Sequence, residues 1–364
     1  MNASVARRSH PRFLISEAFV VDLPDRIADE AELEELLSRP PAAVVDVFRR
    51  LRGDLAVLGS GGKMGASLVR MACRARDAAG SRATVFSVSR FGDAAVRARH
   101  EAAGAETVAC DLLAEDAADR LPPAAHIVYM VGLKFGTSDR PDRTWAANTV
   151  APWTAAGAYR DAAIVAFSTG CVYDFTRVGS GGSVETDPLE PRGEYANAAV
   201  ARERLFEYAS RERGTPMVLL RLNYALEPRY GVLVDLAQRI AAGEPIDLST
   251  GHFNGIWQGD ANAAALRLLE HAARPPLALN VTGTQTLAVR DVATRLAERM
   301  GRPVAFTGEP APAALLANSA QATALLGEPA TPIGRVIDWV ADWTARGGRT
   351  LGKPTHFEVR DGRY

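Results

Sequence analysis

The glycine-rich stretch VLGSGGKMGASLVRMA constrains this chain most, because it joins an apolar strand pattern to an amphipathic helix pattern. Gly59, Gly62 and Gly65 stand at the spacing GxxGxxG. Glycine allows a tight turn and a close approach of backbone N–H groups to a ligand, and the following helix directs its positive end to the same point. The motif predicts a dinucleotide pyrophosphate site, with Lys63 and Met64 as further candidate contacts, although Met64 also suits the core.

From Asp54 onward, short apolar runs alternate with helical patterns. Fully apolar strands that alternate with helices indicate a parallel sheet covered on both faces. We therefore expect an α/β fold with a doubly wound parallel sheet of Rossmann type over residues 54–220. The pattern becomes less regular afterwards, which indicates a smaller C-terminal substrate lobe over 221–345, interleaved with the core, and a tail over 346–364.

The first 53 residues differ from the rest of the chain. The segments ADEAELEELLSR and PPAAVVDVFRRLRG predict two helices, the second with proline at its start and glycine at its end. We expect an N-terminal helical extension over 1–53 that packs on the outside of the fold.

The composition limits the classes of partner. A net charge of -1 over 364 residues gives no indication of a nucleic-acid partner. The early apolar run FLISEAFVV is interrupted by Glu17 and is too short to span a membrane. Three cysteines without metal-ligand spacing fit a reducing compartment. We expect a cytoplasmic protein that binds a small molecule, without metal and without membrane contact.

The end of the second predicted strand reports on the cofactor's adenosine ribose. In FSVSRFGD, Ser89 stands where NAD-binding proteins carry a carboxylate, and Arg90 follows it. A basic residue there favours the 2′-phosphate of NADP. Asp93 could still fold back toward a ribose, so NAD remains the alternative. Asp111 ends the third strand and is expected to hold the adenine amino group.

The order of motifs resembles the extended short-chain dehydrogenase/reductase superfamily, in its NAD(P)-dependent epimerase/dehydratase group, from about Asp54 to about Trp343. Beyond the glycine motif, the matching segments are Asp111-Leu112, YMVG with Val131 and Gly132, AANTVAPW with Asn148, FSTGCVY, VETDPLEPRGEYA, LRLNYALEPRYG and ALLANSAQATALLGEP. The resemblance implies a dinucleotide cofactor held in part by Leu112, Val131, Gly132 and Asn148, and an enzyme that works by hydride transfer.

The resemblance also makes Tyr195 the general acid/base and a cofactor contact, with Thr169 as its hydrogen-bonding partner to the reacting oxygen. In the family, a lysine four residues after the tyrosine lowers the tyrosine pKa, but here that position is Ala199. A phenol with a pKa near 10 is a poor base at neutral pH without a nearby positive charge. Three alternatives remain: Lys134, just past the fourth strand, supplies the charge; Tyr195 stays protonated and acts only as a donor; or catalysis is lost.

Candidate substrate contacts are fewer. Many relatives clamp a nucleotide diphosphate with an arginine where this chain has Asn254 and Gly255, so the sequence argues against a nucleotide-diphosphate sugar unless Arg229 compensates. The candidates are Thr169, Cys171, Asn223, Tyr224, Asn254 and Gln258.

These motifs predict an NAD(P)-dependent oxidoreductase or epimerase, expected to be a homodimer, acting on a small carbohydrate-like or hydroxy-carbonyl substrate. The alternatives are a carbohydrate dehydratase with a recycled cofactor and a non-catalytic dinucleotide-binding regulator.

Overall fold

The computed structural model describes residues 23–134 and 139–363. Its elements in chain order are α1 (Glu30–Leu37), α2 (Ala42–Arg50), β1 (Leu55–Leu58), α3 (Gly65–Ala78), β2 (Val85–Ser89), α4 (Ala94–Ala102), β3 (Glu106–Ala109), α5 (Ala117–Arg120), β4 (His126–Tyr129), α6 (Pro141–Ala158), β5 (Ala163–Thr169), β6 (Thr176–Arg177), α7 (Gly193–Arg213), β7 (Met217–Leu222), β8 (Ala225–Leu226), α8 (Val232–Ala242), β9 (Ile246–Asp247), β10 (His252–Phe253), β11 (Ile256–Trp257), α9 (Gln258–Arg267), β12 (Leu277–Val281), β13 (Leu287–Ala288), α10 (Val289–Met300), β14 (Phe306–Thr307), β15 (Ala313–Ala314), α11 (Ala320–Leu326) and α12 (Ile333–Ala345). Short 3₁₀ turns lie at Gly170–Val172 and Leu268–His271. Within the two described ranges, no helix is long and apolar enough to cross a bilayer.

A seven-stranded sheet with strand order β12-β7-β5-β4-β1-β2-β3 forms the centre of the molecule. All its neighbouring strands run parallel. Alternate strand residues face opposite sides: Val57 packs with α2, α3 and α9, and Leu58 packs with α6 and α7. The strand order reverses between β1 and β4, and ligands bind at such a point in open α/β sheets. The predicted doubly wound α/β fold is confirmed.

The C-terminal helices α8, α10 and α12 pack together around a second apolar core. The N-terminal helices join both cores, since Leu33 of α1 lies in the second core and Phe48 of α2 lies on one face of the sheet. The described part of the extension, residues 23–53, therefore contacts both cores, whereas we expected the extension on the outside. The amphipathic pattern of this segment predicted the two helices, but it did not predict which surfaces they pack against.

The tail returns to the centre of the molecule after α12. Thr355 donates to the carboxylate of Asp235 on α8, and Phe357 packs in the second core. Further on, Gly362 lies against the backbone of Gly193, the first residue of α7. The tail thus connects the C-terminal helices to the start of the helix that carries Tyr195.

Candidate active site

The glycine loop between β1 and α3 has a shape that requires glycine at two of its positions. Gly59 has φ +83°, and a Cβ there would lie 2.8 Å from the backbone nitrogen of Val131. A Cβ at Gly65 would overlap the backbone carbonyl of Ser60. Because no larger side chain fits at either position, the loop lies directly against the end of β4 and opens the N-terminus of α3 toward the ligand side.

A cavity of ≈ 580 Å³ lies above this loop, at the carboxyl ends of the strands. The predicted cofactor residues that line it are Gly59, Gly62, Ser89, Arg90, Asp111, Leu112, Val131 and Gly132. The cavity is bordered on its far side by Ala147 and Ala151 of α6. A cavity that extends along the glycine loop and the ends of β2, β3 and β4 fits a dinucleotide.

The end of β2 presents no free carboxylate to the cavity. Asp93 caps α4 by accepting a hydrogen bond from the backbone N–H of Ala95 at 2.8 Å, so its side chain is already engaged. Arg90 is exposed at the cavity wall, and within the described ranges no carboxylate pairs with it. The polar groups that the end of β2 itself presents to the cavity are therefore the Ser89 hydroxyl and the Arg90 guanidinium.

Lys63 and Met64 of the glycine loop do not line this cavity. Met64 is buried in the core, as its apolar side chain allows. The Lys63 ammonium donates to the carbonyl of Ala225 at 3.3 Å and lies 3.8 Å from the ring centre of Tyr230. Burial lowers the Lys63 pKa to about 7, with the charge of Lys134 acting in the same direction. Lys63 thus faces the cleft between the sheet and the C-terminal helices.

Tyr195 lies in the first turn of α7 and is buried, 9% exposed. Thr169, at the end of β5, forms a hydrogen bond with its hydroxyl. Burial raises the Tyr195 pKa above its usual value, whereas the charge of Arg202 and the hydrogen bonds from Thr169 and Arg202 lower it. The predicted pair of Tyr195 and Thr169 is brought together, and the phenol is protonated at neutral pH.

Arg202 is a site residue that the sequence reasoning missed. It lies seven residues after Tyr195 on α7, only 4% exposed, and its Nη1 donates to the side-chain oxygen of Asn148 at 3.0 Å and to the carbonyl of Val131 at 3.3 Å. The predicted cofactor residue Asn148 is therefore oriented by Arg202. Seven residues correspond to about two helical turns, so both side chains share one face. The sequence feature that could have identified Arg202 is its spacing of seven residues from Tyr195, which places both on one face of the helix.

Lys134, the candidate for the missing charge, follows β4, and residues 135–138 after it lie outside the described residues. Its charge lowers the pKa of Lys63, so two of the chain's three lysines approach one another at the cleft. The cation that we find acting on Tyr195 is Arg202. The hypothesis that Lys134 serves Tyr195 stays a prediction.

The substrate candidates separate into two groups. Cys171 is half-buried. Burial raises the pKa of both Tyr195 and Tyr224, and Cys171 raises both further, so these three side chains lie close together. Tyr230 also lies near this group, because its pKa is raised by burial and, to a smaller extent, by Asp235 and Tyr195. Tyr230 was not predicted as a site residue, although it lies in the matching segment LRLNYALEPRYG.

The amide candidates are engaged in packing. Asn223 donates to the side chain of Asn254 at 2.7 Å, and Asn254 donates to the carbonyl of Ala317 at 2.6 Å. Gln258 is fully buried and donates to Ser67 of α3 at 3.1 Å. Each of these amides has a buried partner, and the side-chain oxygen of Asn223 also lies beside Gly170, the residue after Thr169. Their role as substrate contacts stays a prediction.

Arg229, considered as a replacement for a phosphate-binding arginine, is likewise engaged. It pairs with Glu227 at 3.0 Å and with Glu34 of the N-terminal extension at 2.6 Å. With Glu30 at 3.7 Å, three carboxylates already neutralise its charge.

Solved structures show the same fold. The chain is similar to UDP-glucuronic acid 4-epimerase from Bacillus cereus in complex with NAD, with TM-score 0.67 and 16% identity over 80% of this chain and 96% of that one. It is also similar to UDP-glucose 4-epimerase with UDP-glucose from Thermotoga maritima, with TM-score 0.67 and 16% identity over 81% of this chain and 99% of that one. The UDP-glucose 4-epimerase complex with NAD from Thermus thermophilus gives TM-score 0.65 and 19% identity over 81% and 99%.

A comparison with curated protein sequences finds no match. The family model described as NAD dependent epimerase/dehydratase family matches residues 55–281, which include the glycine loop, the dinucleotide cavity and the tyrosine helix. The superfamily resemblance seen in the motifs is confirmed, and the chain belongs to the NAD-dependent epimerase/dehydratase family.

Proposed function

We propose that this enzyme is an NAD(P)-dependent epimerase or oxidoreductase that acts on a small carbohydrate-like or hydroxy-carbonyl substrate. The observation that carries the proposal is the convergence of Tyr195, Thr169 and Arg202 beside the dinucleotide cavity. A phenol and a hydroxyl at one point can bind the same substrate oxygen, and the phenol can exchange a proton with it.

The residues fit a nicotinamide dinucleotide, which supplies the site with a hydride donor or acceptor. The glycine loop and the N-terminus of α3 would hold the pyrophosphate, and Asp111 would face the adenine. Tyr195, protonated at rest, donates its proton to a carbonyl oxygen that is being reduced. In the opposite direction it takes the proton of a hydroxyl, which requires a cation close by to stabilise the phenolate.

Whether the substrate carries a nucleotide is a separate question. The similar solved structures are epimerases of UDP-sugars, which favours a sugar nucleotide. This chain has Asn254 in place of the family's arginine, and Arg229 is neutralised by Glu227 and Glu34, which favours a substrate without a diphosphate. Thermal shift measurements with UDP-sugars, free sugars and hydroxy acids decide between the two. We expect stabilisation by the latter two classes only.

The choice between the two cofactors is tested by titration. The solved relatives are NAD complexes and favour NAD, whereas Ser89, Arg90 and the engaged carboxylate of Asp93 favour NADP. We expect NADP(H) to bind more tightly in titrations followed by reduced-nicotinamide fluorescence. Replacing Arg90 with glutamine should remove this preference. Equal or tighter binding of NAD(H) by the unaltered protein would refute it.

The experiment that tests the reaction is Tyr195→Phe. Because only the hydroxyl is lost, turnover should fall by about 10²–10⁴-fold, the usual contribution of a positioned acid/base, while cofactor affinity stays nearly unchanged. Net cofactor consumption separates a dehydrogenase from an epimerase or a dehydratase, which return the cofactor. A variant with unaltered turnover, or an unaltered protein that binds cofactor and turns over none of the substrate classes, contradicts the proposal.

We further propose a cytoplasmic homodimer. Four of the seven exposed large hydrophobic side chains in the described part of the chain lie on α6 and α7, namely Trp145, Val150, Trp153 and Tyr208. A second copy would cover this patch. Sedimentation of Val150→Glu should then give a monomer where the unaltered chain gives a dimer.

A further inference from the structure

We propose that Arg202 supplies the cation that α7 lacks at Ala199: it holds the Tyr195 hydroxyl in place and donates to the cofactor ribose next to the nicotinamide. This inference rests on the proposed function, since it assigns a further residue to the same site. Tyr195 is the acid/base, and Arg202 is a positioning residue that acts through it.

The geometry of the helix explains how a residue seven positions away reaches the tyrosine. Side chains on an α-helix lean toward its N-terminus. A residue at i+7 lies on the same face as residue i, about 10 Å farther along the axis toward the C-terminus. An arginine side chain that leans toward the N-terminus is long enough to span most of that separation. Position 199, one turn closer, carries only a methyl group, which is buried against Val172 and Tyr173.

The guanidinium of Arg202 is fixed by two acceptors at the cofactor cavity. Its Nη1 is bonded to Asn148 on α6 and to the carbonyl of Val131, which lines the cavity. A Cβ at Gly132 would lie 2.7 Å from the same nitrogen, so the guanidinium passes close to the end of β4 and a larger residue there would displace it. The contacts therefore fix the cation between the cavity and Tyr195.

One donor of this buried arginine is left without a protein partner. The Nε of Arg202 is buried and makes no hydrogen bond, although the side chain is only 4% exposed. Buried donors are rarely left unpaired, since an unmade bond is costly. An oxygen acceptor brought by a ligand, such as a ribose hydroxyl, would satisfy it.

The charge of Arg202 also opposes the other groups that face the phenol. The pKa of Tyr195 is raised by its burial and by Cys171. The pKa of Tyr230 is raised by burial, and Tyr195 is among the groups that raise it further. Arg202 and the Thr169 hydroxyl favour the ionised form. Removing the charge of Arg202 should therefore raise the pKa of Tyr195 further and disfavour the phenolate.

The experiment compares Arg202→Gln, which keeps hydrogen bonding but not charge, with Arg202→Lys, which keeps the charge. Affinity for NADPH and NADH is measured by fluorescence titration without substrate, and turnover is measured as a function of pH. We expect Arg202→Gln to lose about 10- to 100-fold in affinity, the range for one hydrogen bond to a charged group. Its rising pH–rate limb should move upward by about one unit or more, as loss of a nearby charge predicts.

The decisive variant places a lysine at position 199, where the family carries one. In Ala199→Lys/Arg202→Gln the charge comes from four residues after Tyr195, and we expect most of the affinity and the original pH profile to return. Arg202→Lys should keep the pH profile with a smaller loss of affinity. Arg204→Gln is the matched control, because Arg204 lies on the same helix, is exposed and pairs with Glu207. It should behave like the unaltered protein.

The outcomes that overturn the inference are distinct from those that overturn the proposed function. An Arg202→Gln protein with unaltered melting temperature, cofactor affinity and pH profile refutes the role of Arg202. Failure of the double variant to recover, while Arg202→Lys and Arg202→Gln behave alike, refutes the role of charge. If the unaltered protein binds cofactor but has no turnover, the proposed function fails, and the affinity series still tests the ribose contact.

Discussion

At the residue scale, two glycines three positions apart in the same loop are required for different reasons. A Cβ at Gly65 would overlap the carbonyl of Ser60 inside the protein itself. A Cβ at Gly62 would meet only the carbonyl of Gly59 at 3.4 Å, an ordinary contact. Gly62 lines the dinucleotide cavity, so its constraint comes from the ligand.

We therefore expect Gly62→Ala and Gly65→Ala to differ. Gly62→Ala should keep the melting temperature and lose more than about tenfold in NAD(P)H affinity, since the added methyl group displaces the pyrophosphate. Gly65→Ala should lower the melting temperature as well, because backbone must move. Gly157→Ala on α6, where nothing lies within 4 Å, is the control and should not destabilise the protein. Equal melting temperatures for all three would contradict this interpretation.

Lys63 gives a pH-dependent contribution to stability. Its folded-state pKa, about 7, is below the 10.5 of an unperturbed lysine, because burial outweighs the attraction of Glu227. Between these two values the unfolded chain binds more protons, so stability rises with pH across this window. Lys63→Met should therefore raise the melting temperature most below pH 7, and the gain should shrink toward pH 10. Lys353→Met, at an exposed tail position, should show no such trend.

The sequence predicted the meeting of Tyr195 and Thr169, because both follow from the order of motifs along a known fold. It did not predict Arg202, since no local motif contains a residue that reaches back two turns. It also proposed Asn254 and Gln258 as substrate contacts, which stay predictions, but it did not predict their partners Ala317 and Ser67. Buried amides pair with whatever polar group packing brings near, and residue type and spacing do not reveal those partners.

At the element scale, α7 is anchored to the sheet by a buried ion pair. Glu203 accepts from Arg221 of β7 at 2.7 Å and from Ser168 of β5 at 2.5 Å, and both charged side chains are almost fully buried. Arg221 also donates to Tyr173 at 2.6 Å. This network fixes the middle of the helix, one turn from Ala199, against two central strands.

Arg221→Met should destabilise the protein by about 3–5 kcal/mol, because it leaves the Glu203 carboxylate buried without its partner. Replacing both residues with apolar side chains should cost less than the single change. The free energy of unfolding in urea measures this. Arg204→Met breaks the exposed pair with Glu207 on the same helix and should cost at most about 1 kcal/mol. Similar losses for the two single variants would contradict the buried-network interpretation.

The reach of sequence prediction differs between these elements. The strands of the large sheet were predictable, because a strand such as β1 is apolar at every position and is followed by a helix with clear periodicity. The small strands of the C-terminal lobe were not, since β10 and β13 have two residues each. A two-residue strand has no periodicity, and its pairing depends on tertiary contacts.

At the scale of the whole molecule, the tail links three parts of the chain. It is bonded to α8 through Thr355 and Asp235, and Glu358 pairs with Arg239 at 2.8 Å. Near its end, Arg360 lies 4.2 Å from the ring centre of Phe175. These partners are more than 100 residues away along the chain, so no local pattern predicts where the tail packs.

The contact between Gly362 and Gly193 carries the last prediction. A Cβ at Gly362 would overlap the carbonyl of Arg192, which precedes the first turn of α7 and therefore Tyr195. Gly362→Ala should release the tail, so that hydrogen exchange speeds up in peptides covering 190–196 and 355–363. Gly352→Ala is the matched control: Gly352 also has a positive φ, +62°, but nothing lies within 4 Å of its added Cβ. It carries only the left-handed strain of about 1 kcal/mol, so exchange at 190–196 should stay unchanged. Equal exchange at 190–196 in the two variants would show that the tail does not hold the start of α7.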